Sequence, residues 1–167
     1  EMEENTWGPP TLKAKDAKLI NYLAKHKHIS PFGHCFASFH VKAPVFVARQ
    51  LVKHSFLRWN EISRRYTTEN IEFYTPDVGD WGDTNWACLI AYNDLLEHGV
   101  APEQARMVLP QSTMTEWIWS GSLDAFSRMA NLRCAPDTQA ETQKVAWDIS
   151  LKMEDLFPVS WRALRDE

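Results

Sequence analysis

The alternation of apolar and polar residues predicts helices along much of the chain. The first is DAKLINYLAKHKH, in which leucine and isoleucine side chains recur on one face and Asp16 is a candidate N-cap. A short helical turn is expected at SPFGHC, with Ser30 as its cap and Pro31 as its first helical residue. These signals predict two helical segments before residue 36.

A further helix is predicted in PVFVARQLVKHS, beginning at Pro44. Its apolar positions recur at helical spacing, and they are Val45, Ala48, Leu51 and Val52. This register places Gln50, Lys53 and His54 along the adjacent edge of the helix.

Helical signals also dominate the second half of the chain. We expect a helix from Asn85 to His98, a short helix PEQARMVL opened by Pro102, and LDAFSRMANLR capped by Ser122. A long helix is predicted from Pro136, and Pro158 ends it. Its apolar stripe consists of Val145, Ile149, Met153 and Leu156.

Two segments have the signals of strands. FASFHVK alternates apolar and polar residues with a period of two, which is typical of a strand buried on one face. TMTEWIWSGS is rich in Thr and Trp and also predicts a strand, although Thr113 and Glu116 match a helix capping box. IEFY leans towards β structure, and PDVGDWGDTN is predicted to be a loop. Together the segments indicate one α+β domain, residues 1–167, with more helix than strand.

Composition narrows the class of protein. The chain has a net charge of −4 and no apolar run long enough for a membrane span, and its N-terminus lacks the pattern of a signal peptide. Net acidity disfavours general nucleic-acid binding, so any phosphate site should be local. The three cysteines, Cys35, Cys88 and Cys134, are odd in number and far apart, and none forms a CxxC motif. This pattern favours a reducing compartment over a disulfide framework, and the cytoplasm is the default expectation.

One basic segment stands out in this acidic chain. QLVKHSFLRWNEISRRY, residues 50–66, contains a single acid, Glu61. Its basic side chains are Lys53, His54, Arg58, Arg64 and Arg65. Such a segment predicts a site for an anion.

Metal and nucleophile chemistry are both disfavoured by spacing. Five possible ligands fall within fifteen residues without a recognised zinc pattern: His26, His28, His34, Cys35 and His40. Ser63 lacks a GxSxG elbow, and no cysteine has an evident histidine partner. We therefore expect no metal site.

Arginines offer another kind of site, because the planar guanidinium can hold a phosphate through two parallel hydrogen bonds. The candidates for a phosphate and pyrimidine site are Arg64, Arg65, Arg106 and Arg133. Composition alone leaves open that each is an ordinary solvated surface charge.

The segment PFGHCFASFHVKAPVFVARQLVKHSFLRWNEISRRY resembles the signature region of the flavin-dependent thymidylate synthases, especially the shorter phage-encoded members. The family motif Arg-His-Arg, seven residues and Ser is matched by KHS at 53–55 and by Ser63. QARMVLPQSTMTEWIWSGSLDAF, NLRCAPDTQAE and LFPVSW follow in the family's order, so the resemblance spans residues 16–161. The stretch 74–99 is shorter than the family's usual connection.

The resemblance implies a fold and an activity. It implies an α+β subunit with a mostly antiparallel sheet flanked by helices, assembled as a homotetramer with active sites between subunits. The implied cofactor is FAD, and the co-substrates are methylenetetrahydrofolate and NADPH. Reduced flavin would supply a hydride and folate a carbon unit to convert dUMP to dTMP without a covalent protein adduct.

The family's nucleotide site can be carried over residue by residue. The positions that match its dUMP contacts are Gln50, Lys53, Glu61, Ser63, Arg64, Arg65, Arg106 and Arg133. Arg133 matches the arginine at the imide edge of the uracil, where a positive charge favours the N3-ionised ring, so it is the candidate catalytic residue. Arg64 and Arg65 are adjacent, and on an extended segment only one of them would reach the phosphate.

The flavin site departs more from the family. The positions that match FAD contacts are His28, Ser30, Lys53, His54, Ser55, Glu61, Ser122, Asp124 and Arg128. Several carry unusual residues, including Ser55 in place of arginine. Either Arg58 and Arg128 compensate, or the one-carbon chemistry has changed. Two alternatives therefore stay open: a methylase or hydroxymethylase of another pyrimidine monophosphate, and a nucleotide-binding protein without turnover.

Overall fold

Three strands form a single antiparallel sheet in the order β1-β3-β2 in the computed structural model, which describes residues 12–165. They are β1 (Phe36–Pro44), β2 (Leu57–Glu61) and β3 (Met114–Ser122). The seven α-helices of the described part are α1 (Ala14–Lys25), α2 (Val45–Leu51), α3 (Gly82–Glu97), α4 (Pro102–Ala105), α5 (Leu123–Arg133), α6 (Ala140–Leu156) and α7 (Pro158–Leu164). Two 3-10 turns lie at Ser30–His34 and Arg106–Val108. The predicted α+β class, with an antiparallel sheet and more helix than strand, is confirmed.

The central strand β3 carries the buried face of the sheet. Thr115, Trp117 and Trp119 alternate with more exposed neighbours, as a strand with one buried face requires. Trp119 lies opposite Phe39 on β1 and Trp59 on β2. The strand prediction for this segment is confirmed, and the alternative of a helix capping box was wrong.

Aromatic side chains connect the sheet to the helices. Trp59 stacks on Trp117 with ring centroids 4.2 Å apart, and Phe126 of α5 meets Trp119 edge to face. Residues from α2, α5, α6 and α7 bury their apolar faces in the same core. One domain for residues 1–167 stays a prediction, since 1–11 and 166–167 lie outside the described residues.

The predicted starts of the first two helical segments were wrong. Lys13 precedes α1, and Asp16 instead occupies the third helical position, where its carboxylate accepts the Lys13 backbone N–H at 3.3 Å. The 3-10 turn begins at Ser30 after Ile29, so Ser30 is its first residue rather than its cap and Pro31 is the second.

The helix predicted from Pro44 is shorter than expected: α2 follows Pro44 and ends at Leu51. Val52 is exposed rather than part of the buried stripe, and Lys53 and His54 lie beyond the helix. The chain then enters β2, a strand that the sequence analysis did not predict.

Boundaries in the second half also shift. The helix expected from Asn85 begins at Gly82, and the helix from Pro102 becomes the single turn of α4 followed by a 3-10 turn. The long helix begins at Ala140 rather than Pro136, and Leu156 at its end is exposed. IEFY contributes only an isolated bridge, between Phe73 and Thr113.

Within residues 12–165, no helix combines the length and apolar character needed to cross a membrane. The same part of the chain contains no cluster of three or more His, Cys, Asp or Glu side chains that could hold a metal ion. Cys35, Cys88 and Cys134 are free thiols.

Candidate functional site

A cavity of about 550 Å³ opens where β2 ends and the segment before β3 begins. Four of the predicted nucleotide-binding residues line it: Glu61, Ser63, Arg64 and Arg106. Glu61 comes from the end of β2, and Arg106 comes from the 3-10 turn that follows α4. Residues 45 positions apart in sequence therefore meet at one opening.

The carboxylate of Glu61 is held from both sides. The indole N–H of Trp59 donates to Oε2 at 3.0 Å, and the hydroxyl of Thr115 donates to Oε1 at 2.7 Å. Thr115 is buried, and Trp59 is fixed by its stacking on Trp117. Each carboxylate oxygen can accept more than one hydrogen bond, so Glu61 can still accept a donor from a ligand.

The two adjacent arginines occupy different environments. They lie in a turn rather than the extended segment that was expected. Arg64 lines the cavity, its Nη1 donates to the Glu69 carbonyl at 3.0 Å, and its Nε is buried without a hydrogen-bond partner. Arg65 is exposed, and its guanidinium lies 5.3 Å from the ring centroid of Tyr66.

Ser63 and Arg106 complete the polar lining. The Ser63 hydroxyl accepts the backbone N–H of Arg65 at 3.3 Å. Arg106 is exposed, and its Nε donates to the carbonyl of Glu103 at 3.3 Å. Two guanidinium groups and a hydroxyl thus surround a space that suits an anion.

A second pocket, of about 380 Å³, lies beside α5. Five predicted site residues line it: Lys53, His54, Ser55, Arg128 and Arg133. It shares no lining residue with the first cavity. Within this chain, Arg133 and Arg106 therefore belong to separate openings.

Arg133 is fixed by two acceptors. Its Nε donates to Nε2 of His54 at 3.0 Å, and its Nη2 donates to the backbone carbonyl of Gln50 at 3.1 Å. Burial of the ring and the positive charge of Arg133 lower the pKa of His54 to about 4. His54 is therefore neutral at pH 7, with its unprotonated Nε2 towards Arg133. Only the backbone of Gln50 contacts Arg133, and the Gln50 side chain instead donates to Oε1 of Gln139 at 2.7 Å.

Three predicted flavin residues form a chain along the start of α5. Ser122 occupies the predicted cap position, but its hydroxyl donates to the side chain of Asp124 and accepts no capping hydrogen bond from a helix backbone N–H. Asp124 in turn pairs with Arg128 at 3.0 Å. This contact keeps the exposed Arg128 guanidinium beside the second pocket.

Two predicted flavin residues lie apart from these pockets. His28 follows α1, where its ring lies 6.5 Å from that of Tyr22, and Ser30 is exposed at the first position of its 3-10 turn. Neither lines the two openings described above.

Sequence reasoning missed Trp59 and Thr115, which position Glu61. The signal was present, because Trp59 and Glu61 are two residues apart and so face the same side of a strand. This spacing indicates a contact only if residues 57–61 are known to form a strand. The pairing of these residues with β3 establishes the strand, and that pairing is not visible in the local sequence.

The family model of the thymidylate synthase complementing protein matches residues 2–159. This chain belongs to that family. The flavin-dependent thymidylate synthase of Thermus thermophilus is 38% identical, with 91% of this chain aligned, although the chain covers only 64% of that relative. The flavin-dependent thymidylate synthase of Thermotoga neapolitana is 36% identical, with 89% of this chain and 76% of the relative aligned.

Solved structures show the same relationship at the level of the fold. The UMP/dUMP methylase PolB from Streptomyces cacaoi, bound with 5-Br dUMP, matches with a TM-score of 0.83 and 29% identity over 93% of this chain and 81% of PolB. A second PolB structure, bound with 5-Br UMP, matches with a TM-score of 0.80 and 30% identity over 90% of this chain and 83% of PolB.

Proposed function

We propose that this chain is a flavin-dependent thymidylate synthase that converts dUMP to dTMP, with methylenetetrahydrofolate as carbon donor and NADPH as reductant. The observation that carries the proposal is the cavity in which Glu61, Ser63, Arg64 and Arg106 meet. All four belong to the motifs that match the family's nucleotide site. Relatives named for this activity support the proposal over most of the chain.

The phosphate of the nucleotide would lie against the arginines of the cavity. Arg64 has a buried Nε without a partner, which an anion could satisfy. Arg106 supplies a second guanidinium, and the Ser63 hydroxyl can donate a further hydrogen bond. Glu61, held by Trp59 and Thr115, would accept a donor from the nucleotide or the cofactor.

The pyrimidine chemistry is assigned to Arg133. Its charge would stabilise the N3-ionised uracil, and that ionisation polarises the ring at C5. The neutral His54 and the Gln50 carbonyl hold the guanidinium in place without neutralising it. Arg133 therefore keeps its full positive charge for the ligand.

The residues around the second pocket fit an FAD cofactor by their chemistry. Lys53 and Arg128 are cationic and exposed, as a pyrophosphate requires, and Ser55 adds a hydroxyl donor. Lys53 and Ser55 stand where the family motif has arginine, and Arg128 stands where the family has asparagine. Arg58 and Arg128 would compensate for the altered motif. When bound, FAD would supply the hydride, and these residues would bind and orient the cofactor.

We further propose a homotetramer whose active sites lie between subunits. The separation of Arg133 and Lys53 from Arg64 and Arg106 within one chain supports this, because all four were assigned to one nucleotide. A neighbouring subunit could unite the two sets, and the exposed Arg65 would then be available to such a shared site. A cytoplasmic location is also proposed, and the free thiols agree with a reducing compartment.

UMP is the second candidate substrate. PolB is described as a UMP/dUMP methylase and was solved with a bromo analogue of each nucleotide. These structures share the fold of this chain over at least 90% of its length. Selection between ribose and deoxyribose is therefore a property to measure.

The test is product analysis by mass spectrometry. Purified protein is incubated with FAD, NADPH and methylenetetrahydrofolate together with dUMP, UMP or dCMP. We expect a methylated dUMP, in which a methyl group has replaced one hydrogen, and its formation should require every component. Methylation of UMP in preference to dUMP would replace the proposed substrate, and the absence of any methylated product would overturn the proposed activity.

A further inference from the structure

Phe56 departs from two ordinary preferences of its residue type. Its backbone has φ of 65°, in the left-handed region that is unfavourable for a bulky residue, and its side chain is 80% exposed. An exposed phenyl ring gains little from burial, so hydrophobic packing within this chain does not account for the strained backbone. Strain of this kind is retained where the surrounding structure holds it, commonly at ligand sites.

The neighbouring residues hold Phe56 in this position. The next residue, Leu57, pairs with Gly121 of β3, and a Cβ at Gly121 would lie 2.3 Å from Leu57 Cδ2 and 3.1 Å from the carbonyl oxygen of Phe56. The backbone at Phe56 and Leu57 therefore packs directly against β3. On the other side, the guanidinium of Arg128 lies 5.4 Å from the phenyl centroid, within cation–π range.

Phe56 also lines a third cavity, of about 440 Å³. Phe36, at the start of β1, lines the same space and is 68% exposed. Arg58 and Ser122 supply polar groups at its wall. The opening thus combines two exposed phenyl rings with a cation and a hydroxyl.

Together with the second pocket beyond Arg128, this arrangement matches a ligand that joins a flat ring to a phosphate. Arg128 contacts the Phe56 ring and also lines the pocket of Lys53 and Ser55. A ring stacked on Phe56 would therefore have cationic groups nearby for the attached phosphates.

We propose that Phe56 is a stacking platform for an aromatic ring of the FAD cofactor, with Phe36 on the wall of the same cavity and Arg58 and Arg128 beside the phosphates. The inference rests on the proposed function, because it takes FAD as the ligand. It adds a contact at residues 36 and 56, which the motif comparison did not assign. The ring is either the isoalloxazine or the adenine, since both offer a flat face to a phenyl group.

The test measures cofactor binding rather than turnover. Phe56→Gly and Phe56→Asn remove the ring and suit a left-handed backbone, whereas Phe56→Tyr keeps a ring of similar size. Trp86→Ala is the matched control, because Trp86 is an exposed aromatic on α3 that lines none of the cavities described above. Each protein is titrated with FAD, FMN and ADP, and its thermal midpoint and sedimentation are recorded.

We expect FAD to bind about tenfold more weakly to Phe56→Gly and Phe56→Asn, as the removal of a stacking partner predicts. The thermal midpoints should be unchanged or higher, since left-handed strain is relieved. Phe56→Tyr and Trp86→Ala should bind FAD like the wild type. A parallel loss of FMN affinity would assign the ring to the isoalloxazine, and a parallel loss of ADP affinity would assign it to the adenine.

Equal FAD affinity in all variants, with the wild type binding FAD, would overturn this inference and leave the proposed function intact. Dissociation of subunits in Phe56→Gly and Phe56→Asn would also overturn it, because Phe56 would then be a subunit contact. Failure of the wild-type protein to bind FAD would overturn both.

Discussion

Arg133 and His54, 79 residues apart in sequence, are joined by a hydrogen bond of 3.0 Å in which the guanidinium Nε donates to the imidazole Nε2. The bond requires a neutral imidazole, and the lowered pKa of His54, about 4, agrees with this requirement. An imidazole acceptor orients the arginine without cancelling its charge, as a carboxylate would. The pair thus links the central histidine of the basic segment to the arginine assigned to the pyrimidine.

Stability should depend on pH through His54. Its pKa is about 4 in the folded chain and about 6.5 when unfolded. Between these two pH values the unfolded chain binds a proton at His54 that the folded chain does not bind. The free energy of unfolding therefore decreases as the pH falls through this window. In melting curves from pH 7.5 to 4.5, the wild type should lose more stability than His54→Gln. Parallel losses in both proteins would contradict the assignment, since other groups titrate alike in the two.

Turnover should depend on Arg133 far more than folding does. Arg133→Ala should lower kcat by about a hundredfold or more, as expected for loss of a charge that stabilises the reacting state. Stability should fall by only about 1–3 kcal/mol, because the His54 ring and the Gln50 carbonyl lose a donor. Arg133→Lys keeps the charge but not the forked geometry, so it should recover part of kcat. Proportionate losses of turnover and stability would indicate a structural role.

Arg106 should act on the phosphate of the nucleotide. Arg106→Ala should weaken dUMP binding about tenfold or more, because a charge-assisted hydrogen bond contributes roughly 1.5–3 kcal/mol. Deoxyuridine, which lacks the phosphate, should bind Arg106→Ala and the wild type equally. Arg162→Ala is the control, since Arg162 is an exposed arginine on α7 that pairs with Glu154. Calorimetric titration gives both affinities, and equal weakening of both ligands would exclude a phosphate contact.

Gly121 should be required by packing, whereas Gly33 should not. A Cβ at Gly121 would clash with Leu57, and overpacking of this kind costs about 1–3 kcal/mol. A Cβ at Gly33 would have its nearest neighbour, Asp124 Oδ1, at 4.0 Å. Denaturant unfolding should therefore show a clear loss for Gly121→Ala and little change for Gly33→Ala. Similar stabilities of the two variants would contradict the close approach of β2 to β3.

The sequence predicts the sheet and helices best where the pattern is long. β1 and β3 each span nine residues and show a clear period of two. β2 spans only five residues, and its alternation of Leu57, Arg58 and Trp59 directly follows a helical pattern, so it was missed. Its place in the sheet depends on β3, which is distant in sequence.

Helix ends were less predictable because tertiary contacts decide them. Residues after α5 form a turn in which the Thr138 hydroxyl donates to the Leu132 carbonyl, and the Gln143 side chain donates to the carbonyl of Ala135. These bonds provide donors for backbone carbonyls at and just beyond the end of α5. The residues from Pro136 therefore belong to the turn, and α6 begins only at Ala140.

Candidate site residues could be named from motifs, but their grouping could not. Glu61, Ser63 and Arg64 are near in sequence and share a cavity with Arg106. Arg133 contacts His54 instead, because the last residue of α5 lies beside the end of α2. The roles assigned to these residues stay predictions until binding is measured.

Release of tritium from dUMP labelled at C5 is the most direct measurement of dUMP methylation by this chain, because methylation at C5 must remove that hydrogen. We expect tritium release that requires FAD, NADPH and methylenetetrahydrofolate and that falls about a hundredfold or more in Arg133→Ala. The contradicting result is a wild-type protein that binds FAD and dUMP yet releases no tritium under these conditions.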